Sequence, residues 1–334
     1  MTPAPFMPRL LASRPLTKVL RMLYHHTHPP AQRHNAVLWP FVSVRRDAAG
    51  RLAGCVLRGA QGPGTLPLDA VARRLDTPAH LILSGPSVAR IDYSECRLDA
   101  VMGVNGSIAL TERHPGLRFH YYAILDAGFV RRRRDLVARV LSQDLLLFAT
   151  PEVYRWIALL FDPCQIRCKI ALFEEVHQRA QQPRAEPDAL ACELAEDADL
   201  VLFDAHNPYH AHGFSLDPTR GVFGGGTVAY TALQFLAWLG ARTVYLHGLD
   251  LSAQAGPRFY ERDGQSLPTA LDRQFAGHIE PAFRRAGALL RARGVTVYSL
   301  SEASRLGEDI FEKRHWHCLR QSGAMQDAPA AIHP

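Results

Sequence analysis

Residues 221–260 read GVFGGGTVAYTALQFLAWLGARTVYLHGLDLSAQAGPRFY, and the order of their parts decides the fold class. Gly224, Gly225 and Gly226 run into Thr227, which opens a helix. Its apolar residues Val228, Leu233, Phe235, Leu236 and Leu239 recur at mixed three- and four-residue steps. Gly240 is placed to stop that helix, as a glycine just past a helix end does. Thr243–His247 then reads as a short buried strand, and Gly248-Leu-Asp250 as its exit. Loop, helix, turn, strand and loop make half of a nucleotide-type α/β fold. A helix N-terminus able to receive an anion lies beside a strand C-terminal end.

Working outward, the same alternation continues on the N-terminal side. His80–Leu83 is a strand running into the tight turn Ser84-Gly-Pro-Ser87, and Ala100–Val104 is a second, delivering Asn105-Gly-Ser107. Phe119–Leu125 is a third and delivers Asp126; a basic helix over 129–141, a strand over 144–148 and a helix over 152–160 follow. Within 161–222, Leu200–Phe203 reads as a strand among Pro-, His- and Asp-rich loops. Beyond the quoted stretch, 281–292 is helical and Val295–Ser299 is a last strand. Such alternation implies a mainly parallel sheet covered on both faces. Ahead of it, 36–59 reads as two strands about Asp47-Ala-Ala-Gly50, and 61–67 as a linker.

With 334 residues, the chain can bury a substantial core. Hydrophobic residues make up 47% and charged ones 21%, which fits a globular protein, and the formal charge of +6 favours anionic partners without choosing among them. The six cysteines have no framework spacing and read as free thiols. No apolar run is long enough for a transmembrane helix. In residues 1–30, Arg9, Arg14, Lys18 and Arg21 interrupt the apolar residues, which leaves two readings: a basic amphipathic segment on a membrane surface, or a leader packed on the domain.

In a doubly wound sheet the C-terminal strand ends line one crevice. The groups expected to meet there are Gly85, Pro86 and Ser87, then Asn105, Gly106 and Ser107, then Asp126, with Gly225, Gly226 and Thr227, and finally Gly248, Asp250 and Ser252. Glycines let backbone approach a ligand, Ser87 and Thr227 can cap helices whose N–H groups face a phosphate, and Asn105 offers both a donor and an acceptor. No Gly-Lys-Ser/Thr and no G-x-G-x-x-G is present at these turns, which disfavours ATP hydrolysis and nicotinamide redox chemistry.

Leu81-Ile-Leu-Ser-Gly-Pro-Ser87, Val104-Asn-Gly-Ser107, Arg131-Arg-Arg-Arg-Asp135, Thr227-Val-Ala-Tyr230, Gly248-Leu-Asp-Leu251, Arg258-Phe-Tyr260 and Ser299-Leu-Ser301 resemble bacterial CMP-sugar transferases. Within that group the resemblance is to the lipopolysaccharide-core Kdo transferases of the third-Kdo type, and more distantly to the sialyltransferases of family GT42. It covers roughly residues 80–312. It implies a single Rossmann-like, GT-A-variant sheet over 76–250 and 285–318. A small lid at 251–284, an extension at 1–75 and a disordered tail at 319–334 would complete the chain.

The implied reaction is an inverting, metal-independent transfer of Kdo, or of sialic acid, from its CMP donor to a sugar hydroxyl of a lipopolysaccharide core or other glycolipid acceptor. The enzyme would sit in the cytoplasm, peripheral on the anionic inner membrane, with no nucleic-acid partner. By matching positions, the resemblance makes His278 the general base and Tyr260 a hydroxyl on the leaving phosphate. Arg258 would supply positive charge where Ser252 replaces a second tyrosine. Glycine replaces an arginine that sialyltransferases carry just before the glycine–threonine helix, which weighs against sialic acid. Arg131, Arg132, Arg133 and Arg134 read either as a solvated helix face or as contacts to acceptor or membrane phosphates. Cys164-x₃-Cys168 and His206-x₃-His210-x-His212 lack the paired spacing of a structural zinc site, so no metal is expected. Two other classes remain as alternatives: a pterin diphosphokinase needing Mg²⁺ and ATP, and a non-catalytic nucleotide-binding module.

Overall fold

Runs such as Ala100–Val104 carry no polar alternation, as expected of strands buried on both faces. The computed structural model describes residues 13–59, 62–73, 75–252, 254–261 and 270–320. Helix α1 (Arg14–Thr27) is followed by the antiparallel hairpin β1 (Val42–Arg46) and β2 (Leu52–Leu57), which turns at Asp47–Gly50 as its sequence requires. Then come β3 (Thr65–Leu66), β4 (Ala79–Ile82), β5 (Ala100–Val104) and β6 (Tyr121–Ile124). The basic helix is two pieces, α2 (Ala127–Arg132) and α3 (Arg134–Leu141), and β7 (Leu146–Ala149), α4 (Pro151–Leu160) and β8 (Lys169–Leu172) follow. After α5 (Pro187–Glu193), β9 (Leu200–Asp204) pairs antiparallel with β10 (His212–Ser215) as a separate ribbon. The last elements are α6 (Val228–Trp238), β11 (Thr243–His247), α7 (Leu271–Gln274), α8 (Glu280–Ala292), β12 (Thr296–Ser299) and β13 (Glu312–Lys313).

The main sheet has nine strands in the order β13-β12-β11-β4-β5-β6-β7-β8-β3, and every pairing is parallel. This is the single, mainly parallel sheet the alternation implies. From β4 the chain builds outward to β8, then crosses back to lay β11 on the other side of β4. The strand order therefore reverses between β4 and β11, which is where open α/β sheets form their ligand crevice. Thr65–Leu66, within the stretch read as linker and extension, adds a parallel strand beside β8 instead. The expected tail falls, for 321–334, outside the described residues. Among the described residues no helix is long and apolar enough to cross a membrane.

Helix α6 is buried almost all round, as its apolar composition demands. Phe235 stacks on Phe148 of β7 with ring centroids 4.1 Å apart. Gln234 is wholly buried, and three of its hydrogen bonds tie neighbouring segments to this helix. Its Oε1 accepts N–H groups from Ser215 (2.9 Å) and Phe223 (3.0 Å), while Nε2 donates to Phe223 O at 2.8 Å. The ribbon and the glycine loop are thereby fixed to the sheet.

Beneath the reversal point, Nδ1 of His80 on β4 lies 3.2 Å from Nε2 of His247 on β11, and Nδ1 of His247 lies 3.2 Å from the Tyr93 hydroxyl. Burial pushes His80 down to about 4, against a small pull from Asp99, and drives His247 well below the ordinary histidine value. Both rings are neutral in the fold. Because the folded values lie below the unfolded value near 6.5, the unfolded chain takes up protons first as pH falls. Stability is then full above about pH 6.5 and is lost as pH drops toward 4. The thermal midpoint should fall across that window, and His80→Gln should flatten the decline; a midpoint flat from pH 6.5 to 4.5 would contradict this account.

Candidate active site

The turns after β4, β5, β6 and β11 and the first turn of α6 enclose a cavity of about 640 Å³ at the reversal point. Of the expected site residues, Gly85, Pro86, Asn105, Asp126, Gly226, Thr227, Gly248, Asp250, Ser252 and Arg258 line it. Their approach depends on glycine. A Cβ at Gly85 would run into the Asp250 carboxylate and the Gly248 carbonyl. Gly85 N–H donates to Gly248 O at 3.1 Å, so the two turns touch directly. Asp250 extends the junction, its Oδ2 accepting the Ser87 N–H at 2.9 Å.

Three polar atoms on this wall are buried with no hydrogen-bond partner among the described residues: Ser84 Oγ, Asn105 Oδ1 and Asp250 Oδ1. They come from three different strand ends and line the same cavity. An orphaned buried polar group costs about 1–3 kcal/mol, so three around one hollow mark a place where a ligand supplies the partners. Asn105 is held at φ +45, a conformation that asparagine tolerates better than most residues. The Tyr122 hydroxyl secures the turn by donating to Asn105 O at 2.7 Å. Opposite, Thr227 caps α6, its hydroxyl accepting the Tyr230 N–H at 3.3 Å, and the residues of that first turn, 226–229, line the cavity. Asp126 caps α2 through Gly128 N–H (2.6 Å) and pairs with Arg132 at 3.0 Å while still lining the cavity.

Other expected site residues lie elsewhere, each for a local reason. Ser87 faces a smaller neighbouring hollow and bonds Ser301 Oγ at 3.1 Å. Ser107 is fully buried, its hydroxyl bound to Val104 N–H (2.9 Å) and the Tyr122 hydroxyl (3.0 Å), so it serves the turn rather than a ligand. Gly106 and Gly225 are glycines because the rings of Tyr260 and Tyr230 occupy the space a Cβ would need. Tyr260 is thus wedged behind the Asn105 turn, with the Arg133 guanidinium 5.2 Å from its ring centroid. Burial pushes its hydroxyl up to about 12. Arg258 lines the cavity, but its guanidinium is joined to Glu261 at 2.7 Å. Glu261 also lines the cavity, and no sequence motif points to it. Arg131 lies over Trp156 at 5.0 Å, Arg133 pairs with Asp135 at 2.9 Å, and Arg134 is exposed; none of Arg131–Arg134 lines the cavity.

His278 sits in a π-helical turn, Phe275–Ile279, between α7 and α8, and is completely buried behind Gly226. Its Nδ1 meets Nε2 of His212 at 2.5 Å, and its Nε2 has no partner among the described residues. Burial, then the neighbouring His212 and His210, push it down to about 4. A Cβ on Gly226 would lie 2.7 Å from Ile279 Cγ1, 2.8 Å from His278 Cδ2 and 3.5 Å from its Nε2, so the imidazole packs directly against this cavity-lining glycine.

Residues 68–312 match the family model of the 3-deoxy-D-manno-octulosonic acid transferase WaaZ. The chain belongs to this family. A probable 3-deoxy-manno-octulosonic acid transferase of Salmonella typhimurium (strain LT2) is 24% identical over 247 residues, 73% of this chain and 89% of that protein. Among solved structures, the monofunctional α-2,3-sialyltransferase Cst-I from Campylobacter jejuni aligns with a TM-score of 0.35 and 14% identity over 73% of this chain and 82% of its own. The sialyltransferase CST-II, in complex with a trisaccharide acceptor and CMP, aligns with a TM-score of 0.37 and 15% identity over 70% and 85%.

The chain is therefore a glycosyltransferase, and the matched segment includes the whole cavity wall. That wall offers hydrogen-bond acceptors (Asp250, Asn105) on one side and helix N–H donors on the other. A ligand with donor groups at one end and an anion at the other fits both. Gly226, at φ +74 with Ile279 and His278 where a Cβ would go, resists substitution. Gly226→Ala should cost about 1–3 kcal/mol through backbone strain and overpacking. Gly116→Ala, in open space, should stay within about 0.5 kcal/mol. Urea unfolding of the two variants tests the contrast.

Proposed function

We propose that this transferase moves Kdo (3-deoxy-D-manno-octulosonic acid) from CMP-Kdo to a hydroxyl of a lipopolysaccharide-core or lipid A acceptor, with inversion. The observation that carries the reading is that the three residues with orphaned polar atoms line one cavity together with the first turn of α6. Its volume lies in the range of small-molecule sites. Asp250 and Asn105 accept hydrogen bonds from the cytosine amino group or ribose hydroxyls. The N–H groups of 226–229 receive the phosphate, where the helix dipole favours negative charge. As the acceptor oxygen bonds to the anomeric carbon, the bond from that carbon to phosphate breaks and its electron pair leaves with CMP. The transition state is oxocarbenium-like, as in other glycosyl transfers, and the helix N–H groups stabilise the departing charge. No metal takes part in this step.

The base in this reading is His278. It is neutral, its Nε2 has no partner among the described residues, and π-turns of the kind that holds it are frequent at functional sites. A shift of the Gly226 turn opens the imidazole to the acceptor hydroxyl; of the lid expected at 251–284, residues 253 and 262–269 lie outside the described residues. With CMP-Kdo and a core-lipid acceptor, the acceptor mass should rise by one Kdo. His278→Ala should reduce turnover by about 10²–10⁴ with CMP affinity retained. Asp250→Asn should weaken CMP binding in calorimetry by roughly 10- to 100-fold, the loss of an acceptor to a charged partner. CMP release from CMP-sialic acid and not from CMP-Kdo would refute the donor assignment, and indifference to CMP would refute the site.

We also propose that the enzyme works at the cytoplasmic face of the inner membrane, attached through α1. Val19, Met22 and Leu23 are 48%, 55% and 45% exposed, and with Lys18 they form one outward face of that helix. An apolar stripe beside basic residues suits an anionic bilayer surface. Cosedimentation with anionic phospholipid vesicles should fall sharply in a Val19→Asp, Met22→Asp variant and with added salt; equal binding by the variant would rule this attachment out.

A further inference from the structure

The histidine-dense stretch His206–His212 is not absorbed by the transfer site, and its members part company in the fold. His206 pairs with Asp188 at 3.1 Å, and His212 meets His278. His210 turns instead toward the loop after β8. There Nε2 of His177 lies 3.2 Å from Nδ1 of His210 and 3.5 Å from Oε2 of Glu175, and one ligand atom from each of the three residues falls within 4.8 Å of the others. Nitrogen or oxygen ligands held about 2.0–2.1 Å from a tetrahedral zinc ion stand about 3.3 Å apart. Both measured separations are therefore already edges of such a tetrahedron.

A proton alone explains the cluster less well. It bridges His177 and His210, on whichever nitrogen it sits, and leaves the Glu175 carboxylate converging on the same point. His177 is buried, while the Glu175 side chain is 30% exposed, which leaves an ion a way in. The backbone around the cluster is braced: Val176 N–H donates to Val222 O at 3.0 Å, and Ala185 N–H to His177 O at 3.0 Å.

We propose that Glu175, His177 and His210 bind a divalent first-row transition-metal ion, with the fourth position left to water. Imidazole and carboxylate together suit zinc and its neighbours, whereas magnesium and calcium demand an all-oxygen set. None of the three residues lines the donor cavity. A Cβ at Gly224 would lie 3.3 Å from Glu175 Oε1 and 4.0 Å from His210 Cγ, so the ion sits under the glycine loop that leads into α6. It joins the β8 loop to the β9–β10 ribbon and braces that loop from outside the cavity.

The full chain, stripped with a chelator and titrated with Zn²⁺ against a chromophoric competitor, should take up one equivalent. Co²⁺ should give the visible absorption of a tetrahedral site. His177→Ala and Glu175→Gln should each weaken uptake by at least about tenfold, while His206→Ala should not. Zn²⁺ should raise the thermal midpoint of the wild type and leave that of His177→Ala unmoved. Should His177→Ala fail to fold, Glu175→Gln and the wild-type Co²⁺ spectrum decide. Absence of uptake by the wild type, or uptake unaltered in Glu175→Gln, would overturn the proposal. Because metal content is read directly, the outcome is independent of which sugar, if any, is transferred.

Discussion

The contact between the turns after β4 and β11 governs the rest of the architecture. These strands are neighbours in space but distant in sequence, and the sheet changes direction between them. Gly85 and Gly248 let their backbones meet, and Asp250 locks the meeting by taking the Ser87 N–H. One carboxylate oxygen is thereby consumed in joining the halves, and the other is left without a partner among the described residues. The same residue closes the fold and equips the site, so the two cannot be varied separately.

A second constraint acts through the glycine loop. Gln234 holds Phe223 at one end of the loop, Thr227 caps α6 at the other, and the three glycines between them pass against Glu175, Tyr230 and His278. At Gly225 and Gly226 a neighbour already fills the volume a side chain would need, and at Gly224 the fit is tight. The loop is thin by necessity, with aromatic and imidazole rings on one side and the cavity on the other. That thinness allows chemistry to be shared across it.

Much of this was readable from residues alone, where the physics is local. Apolar runs gave β4 to β7, α4, α6 and β11, and the rule that ligands collect at carboxyl strand ends brought Gly85, Asn105, Asp126, Thr227 and Asp250 together. What escaped depended on partners far away in sequence. β8 is short and follows Pro163–Cys168, and β3 is two residues among prolines and glycines; only the sheet edge makes them strands. Leu200–Phe203 is a strand, but it pairs with β10 in a separate ribbon. Ser107 sits in a turn that looks ligand-facing, yet Tyr122 claims its hydroxyl. Tyr260 and His278 lie at matching motif positions, and their depth is set by Gly106 and Gly226, which no local pattern discloses.

The N-terminal hairpin is not a loose appendage. Arg46 reaches across to Glu174 at 2.6 Å in a largely buried pair, Gln181 binds Val42 O and Val44 N–H on either side of it, and β3 finishes the sheet edge. Breaking one member of such a pair strands a buried charge, so the joint resists bending. Asn35, just beyond α1, bonds Gln181 and Gln182 as well, so the chain leading out of α1 is held to the same joint. Under the proposed attachment of α1 to a bilayer, that joint would act as a gauge: sugars projecting too little or too far from the lipid surface would miss the reacting carbon, whatever their chemistry.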